Sequence, residues 1–470
     1  MINKINYWIM VLAFSIPTIT LAQSSYSPPV EHDYPINVYW GDTHVHTKLS
    51  TDAYTNENRL DASSAYRFAR GEEVTTSHGK RAKLRRPLDF LVVADHSENL
   101  GVWAALNEAN PMLLSTAKGK ALYDRLMVTR DEAGDKNLFP AEFWELFSKD
   151  RFVGADYKRS VWEQVIENAE KFNNPGKFTA FIGYEWTAGN SKHLHRVVIF
   201  KEGADKAEQV IPFSQIDSNK PEDLWSYLSD YEEKTNGEIL AIPHNGNLSQ
   251  GKLFALDQSN GQPLDATYAK NRARWEPLLE VTQVKGDSET HPTLSPLDEF
   301  ADYETWNGAK YSEFYGAAGN WMRPYEYARS GLKLGLQQQA TLGINPFKFG
   351  MIGSTDSHTS LATADNDNFW GKNVVNGPAY PNRMLDPRYP DANAENIELG
   401  WRLNAAGYAG IWATENTREA LFDAMKRKEV YASTGPRMTV RFFGGWDFEK
   451  SDAFKPDLAV IGYEKGVPMG

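Results

Sequence analysis

His44 and His46 stand one residue apart in "YWGDTHVHTKLSTDAY", with Asp52 six positions on, in a chain that holds ten histidines. Alternation along a strand sends residues i and i+2 to the same side, so two imidazoles at this spacing can grip one ion. Asp356 and His358 repeat the device in "STDSH". Between them, Glu185 in "GYEW" is a candidate bridge, because a carboxylate has two oxygens and can serve two cations at once. With no cysteine in the chain, neither disulfides nor thiolate ligands are available. A metal must therefore sit on His, Asp and Glu, a donor set that suits zinc, manganese or iron.

These residues need elements to bring them together. Several apolar, β-branched runs end in, or open with, a histidine or an acid. They are "INVYWGDTHVH", "LDFLVVADH" with Asp95 and His96, "FTAFIGYEW" with Glu185, and "LHRVVIF" opening at His195. "EILAIPHNGN" delivers His244, "PLLEVTQVKG" carries Glu280 and Lys285, and "KFGMIGSTDSH" ends at Asp356 and His358. Continuous apolar runs separated by helical stretches indicate parallel strands buried on both faces. In an α/β barrel, groups at the C-terminal ends of such strands converge on one face. A single strand-end histidine is an ordinary structural residue. Seven of the ten at such positions, counting His193, form a set that marks a site.

The ordered motifs "HVH", "ADH", "GYEW", "LHR", "PHNGN" and "STDSH" resemble the polymerase-and-histidinol-phosphatase (PHP) superfamily, and within it the family DUF3604. The resemblance spans roughly residues 36–445. It implies a distorted (β/α)7 barrel that hydrolyses phosphoesters with two or three divalent ions. It also implies a ligand set: His44, His46, Glu185 and Asp356 on one ion, Glu185, His195 and His244 on a second, and Asp52, His96 and His358 on a third. Asp52 stands where many superfamily members carry a histidine. His195 rather than His193 occupies the "LHR" motif, which leaves His193 beside the ligands or at the surface.

The chemistry of close divalent ions agrees with this resemblance, since they activate water and clamp both oxygens of an in-line displacement. A hydroxide shared by the ions is the expected nucleophile. The chain shows no nucleophile-elbow pattern. Arg196 and Lys285 are candidate anchors for anionic substrate oxygens. Arg196 can serve so only if "HLHR" is loop and the strand begins at Val197, as the turn-rich "TAGNSKH" suggests. Otherwise it is a structural ion pair. Asn245 and Asn247 either donate to substrate or cap the turn after His244. Glu280 is either an acid/base or a partner to Lys285, and the partner role is the expectation.

Composition frames the rest. A hydrophobic share of 41% and a charged share of 24% are those of a globular chain. Residues 1–22 read as an export signal: Lys4, an apolar stretch too short and too interrupted to span a bilayer, then Thr20-Leu21-Ala22 before Gln23. Cleavage there removes Lys4 and adds to a net charge that is already -12. Such a surface disfavours nucleic-acid polymers and leaves a small anionic ester as the expected partner, with no membrane anchor after cleavage. The barrel is expected over 36–435, with a helical insertion at 100–175 and a long Asn- and Pro-rich loop at 366–400. "TREALFDAMKRKEVYAST" reads as an amphipathic helix closing the barrel exterior. The start of a β-rich segment is expected at 436–470. Hydrolysis of sulfate, phosphonate or carboxylic esters, or metal binding without catalysis, stays open at this point.

Overall fold

A computed structural model describes residues 34–133, 153–188, 194–306, 321–380, 403 and 407–469. Residues 35–470 form one compact unit. The expected signal segment and His193 lie outside the described residues, as do 134–152 of the insertion, 189–192, and 381–400 of the long loop.

All seven apolar runs are strands. They are β1 (Asn37–Val45), β2 (Phe90–Val93), β3 (Thr179–Trp186), β4 (Arg196–Phe200), β5 (Ile239–Pro243), β6 (Leu278–Gln283) and β7 (Gly350–Gly353). Two further strands complete the set, β8 (Tyr408–Ala413) and β9 (Val430–Ser433). Seven of these form one sheet in the order β9-β8-β1-β2-β3-β4-β5, and β7 and β6 form a second with the short strand Gly286–Asp287. The sheets meet where β5 lies beside β6 and where β7 lies beside β9, so the nine strands enclose a core.

The expected all-parallel, sevenfold β/α order is not what the described residues show. β1, β2 and β3 run parallel, as do β6 and β7. β4 is antiparallel to both β3 and β5, and β8 is antiparallel to β1 and β9. The reason is local. The connection from Trp186 to Arg196 is shorter than the dozen or so residues a parallel crossover needs, so the chain turns back as a hairpin. β4 therefore begins where its neighbours end. His195 opens its run for that reason, while the other ligands close theirs.

Alternation stacks the interior in layers. Phe90, Val92, Ala94, Phe181, Val197, Ile199, Leu240, Ile242, Leu278 and Ile352 share one buried cluster. Stepping in twos along each strand from these residues reaches His96, Glu185, His195, His244 and Glu280. The site thus rests directly on the apolar layer. Gly41 on β1 allows the close approach of β2, because a Cβ there would stand 2.4 Å from the Phe90 ring.

The helix Arg418–Arg427 corrects an expectation. Its N-cap is Thr417, whose side chain accepts from Ala420 N–H. However, Leu421, Phe422, Ala424 and Met425 are fully buried in the same cluster as the inward strand residues. It plugs the interior instead of covering the outside. The insertion is helical where described, and Ala155–Phe172 lays Tyr157, Val161, Trp162, Val165 and Ile166 inward at helical spacing, packing against β3. The segment 436–470 is not β-rich. It holds two two-residue strands, Phe443–Gly444 and Val467–Pro468, around the helix Leu458–Lys465. Met438, Phe442 and Trp446 are exposed, so their β preference finds no facing surface to pack on.

Candidate metal centre

The histidines and acids converge at the strand ends, almost all of them buried. His44 Nε2 and His46 Nε2 are 3.0 Å apart, and each lies 3.2 Å from Glu185 Oε2. Asp356 Oδ1 is 3.6 Å from the first and 3.3 Å from the second. Four donors at about 2.1 Å around one tetrahedral ion would be about 3.4 Å apart. The donor set and its spacing fit a divalent metal.

Glu185 faces two ways. Its Oε1 is 2.7 Å from His195 Nδ1 and 2.8 Å from His244 Nε2, while Oε2 faces His44 and His46. A third grouping surrounds Asp52, whose Oδ2 is 3.3 Å from both His96 Nε2 and His358 Nδ1. His46 also stands within ligand reach of Asp52 and His358. Thus the structure brings together all nine residues expected to hold metal.

Neighbouring groups fix the rings. Glu280 Oε2 meets His44 Nδ1 at 3.0 Å, and Ser50 Oγ meets His46 Nδ1 at 2.9 Å. In each ring this turns Nε2 toward the centre as the free donor. Glu280 is therefore the partner of His44, not of Lys285. Its other oxygen accepts from Gln283 Nε2 at 2.9 Å.

The electrostatics call for positive charge. Burial would lift the Glu185 carboxyl, but His96, His44 and His244 outweigh it and hold it well below the usual range. Burial likewise opposes charge on His44 and His96, yet Asp356, Glu280 and Glu185 raise His44 well above its ordinary value. Glu185 and Asp52 raise His96 to about 10. His195 goes the other way, down to about 4, because its burial outweighs Glu185. A neutral imidazole is the form that binds metal.

Sequence similarity now adds its own evidence. The model of a family described as a protein of unknown function, DUF3604, matches residues 33–470. The chain belongs to the DUF3604 family. No curated protein matches it. Among solved structures, it is similar to a two-domain protein from Bacteroides vulgatus containing a predicted PHP-like metal-dependent phosphoesterase. The identity is 10% and the TM-score 0.33, with 84% of this chain and 65% of that one covered. PsfC from Pseudomonas syringae is similar at 12% identity and a TM-score of 0.31, with 91% and 98% covered. The chain spans 65% of the length of the first, and at these TM-scores neither likeness bears on fold or function.

Three expected anchors sit differently in this DUF3604 chain. Arg196 is the first residue of β4, is buried, and points away from the metal side. Its Nε donates to Glu276 at 3.0 Å and its Nη1 to the Leu194 carbonyl at 2.6 Å, so the strand reading holds over the loop reading. The Lys285 ammonium is engaged by Asp356 Oδ2. Asn247 is used at both ends, donating to the Lys285 carbonyl and accepting from Ser288 Oγ. Asn245 differs: it is buried in a left-handed turn at φ 56°, and neither amide atom has a partner among the described residues.

Sequence reasoning missed Lys372, which comes from the loop after His358. It is fully buried and donates to both the carbonyl and Oδ1 of Asp356 at 2.5 Å, while its own carbonyl accepts from His358 N–H. With Lys285 it holds Asp356 at φ 52°, a conformation unusual for a residue other than glycine. Asp95 and Asp42 also went without a role. Asp95 accepts from Thr47 N–H and Oγ1, and Asp42 accepts from Thr355 and the His44 N–H. Their place beside the HxH and ADH motifs is a signal that could have found them.

Proposed function

We propose that this protein is an exported, metal-dependent hydrolase of phosphoesters, built on a PHP-type barrel and using two or three divalent ions of manganese, zinc or iron. The observation that carries the reading is Glu185, whose two oxygens face two separate sets of histidines. His44, His46, Glu185 and Asp356 would hold one ion; Glu185, His195 and His244 a second; Asp52, His96 and His358 a third. Such ions supply Lewis acidity and lower the pKa of bound water from roughly 16 toward 7.

The chain's own groups do the positioning. Glu280 and Ser50 orient His44 and His46, and Lys285 and Lys372 hold Asp356 from two sides. The unpartnered amide of Asn245, next to His244, is suited to donate to a substrate oxygen. The expected partner is a small anionic ester, not a nucleic-acid polymer. Among the described residues no helix is long and apolar enough to cross a membrane.

Purified protein assayed on chromogenic phosphate, phosphodiester, sulfate and acetate esters, with manganese, zinc and iron supplied separately, tests the reading. Turnover of the phosphate or phosphodiester is the expected result. Turnover confined to sulfate or acetate would reassign the ester. Full metal loading without turnover on any of them would point to a binding protein.

A further inference from the structure

The face of β4 that Arg196 occupies borders a second concavity. An open cavity of about 350 Å³ is lined there by Arg196, Lys220, Lys252 and Arg272, with Asp257 as the acid among its walls. Four cations facing one carboxylate stand out in a chain whose acids outnumber its bases by 62 to 50. Behind the wall, the two arginines share a single carboxylate. Glu276 Oε1 accepts from Arg196 Nε, and Oε2 lies 3.2 Å from Arg272 Nε, near enough for an ion pair though not aligned as a hydrogen bond.

Arg272 is 4% exposed. Its other contacts are aromatic faces, with the guanidinium carbon 4.7 Å from the centre of the Phe347 ring and 5.8 Å from that of Phe254. Among the described residues no group accepts a hydrogen bond from its Nη nitrogens. A buried guanidinium with donors to spare is a fork for an oxyanion. Lys252 is held weakly, 3.8 Å from Asp257. Lys220 precedes the helix Pro221–Thr235, whose positive end adds to the field. Of the acids of that first turn, Glu222 accepts from Ser259 at the cavity wall and Asp223 from Ser218. Leu194, Pro221 and the ring of Tyr268 supply apolar wall.

We propose that this cavity binds a small organic oxyanion, with its charged group on Arg272, Lys220 and Lys252 and its apolar body against Tyr268. The inference does not depend on hydrolysis at the metal centre. Such a ligand is either a free molecule or the remote anionic end of the ester itself, since Leu194 and Arg196, which flank His195, line the cavity.

Calorimetric titration of the metal-loaded chain with p-toluenesulfonate tests it. One equivalent should bind, and binding should persist in Glu185→Ala, which disables the metal centre. The Lys220→Ala/Lys252→Ala double variant, altered at the rim and spared at the core, should weaken binding at least 10-fold, and Arg272→Gln should do the same. Binding unchanged in both cavity variants, binding lost in Glu185→Ala alone, or no binding by the wild-type chain would each overturn the proposal. The source of the anion follows from kinetics. A KM raised in the double variant for an ester with a second anionic group, but not for one without it, identifies the ester's own tail. Equal KM for both identifies a separate ligand.

Discussion

Glu185 does more than any other side chain, because its two oxygens serve different neighbours. Glu185→Ala should therefore cost the protein two ions, where loss of a one-sided ligand costs one. Elemental analysis should give at least two divalent metals per wild-type chain and neither of these two in the variant, with turnover gone. Glu280 acts through His44, so Glu280→Ala should leave the fold intact and lower metal affinity by about 10–100-fold. Competition against a chelator measures this. Arg196 lies in a buried pair, and removing one partner of such a pair costs about 3–5 kcal/mol. Arg196→Ala should accordingly lower the unfolding midpoint in denaturant while metal content stays at the wild-type value. Retained stability would return Arg196 to the substrate-anchoring role that the turn-rich "TAGNSKH" before it suggests.

At the scale of elements, the apolar runs were legible because strand burial needs little more than continuous hydrophobicity. Direction was not, since an apolar run reads the same both ways. The length of the Trp186–Arg196 connection held that information, and so did His195 standing first in its run. Lys372 was hidden for a different reason. A lysine in a polar loop normally reads as solvated, and only the docking of that loop onto Asp356 buries it. The helix expected over 417–434 ends at Arg427, since the β-branched and aromatic run Val430–Ser433 is strand β9, and its side chains enter the interior because β8 and β9, which flank it, are part of the wall. Phe422→Ala should for this reason cost about 3–5 kcal/mol, the cost of a core cavity, measured by denaturant titration. A helix lying outside the barrel would lose far less.

For the whole molecule, stability against pH carries a sign that two buried acids outside the metal centre set. Burial raises Glu326 and Asp287 to about 7 each. A carboxyl whose folded pKa lies above its unfolded value favours the fold fully below about 4, and that contribution is lost as pH rises toward 7. Glu326→Gln keeps an oxygen for the Gly251 N–H but cannot ionise. It should therefore be more stable than wild type at pH 8, by about 1–3 kcal/mol, with the difference vanishing near pH 4. Thermal melts of both proteins across that range check the sign.

The reversed strand β4 has a bearing on how the centre is assembled in time. Glu185 and His195 are ten positions apart and meet across a hairpin, whereas His44 meets Glu280 across 236 positions. Closing a short loop is fast and entropically cheap, while contacts between distant parts of the chain form late. Two of the nine ligands can be present in an early hairpin, but the grouping of His44, His46 and Asp356 exists only after the ends of β1 and β7 have joined. Metal capture is then a closing event of folding, and the protein must find its ions in the compartment where its folding ends.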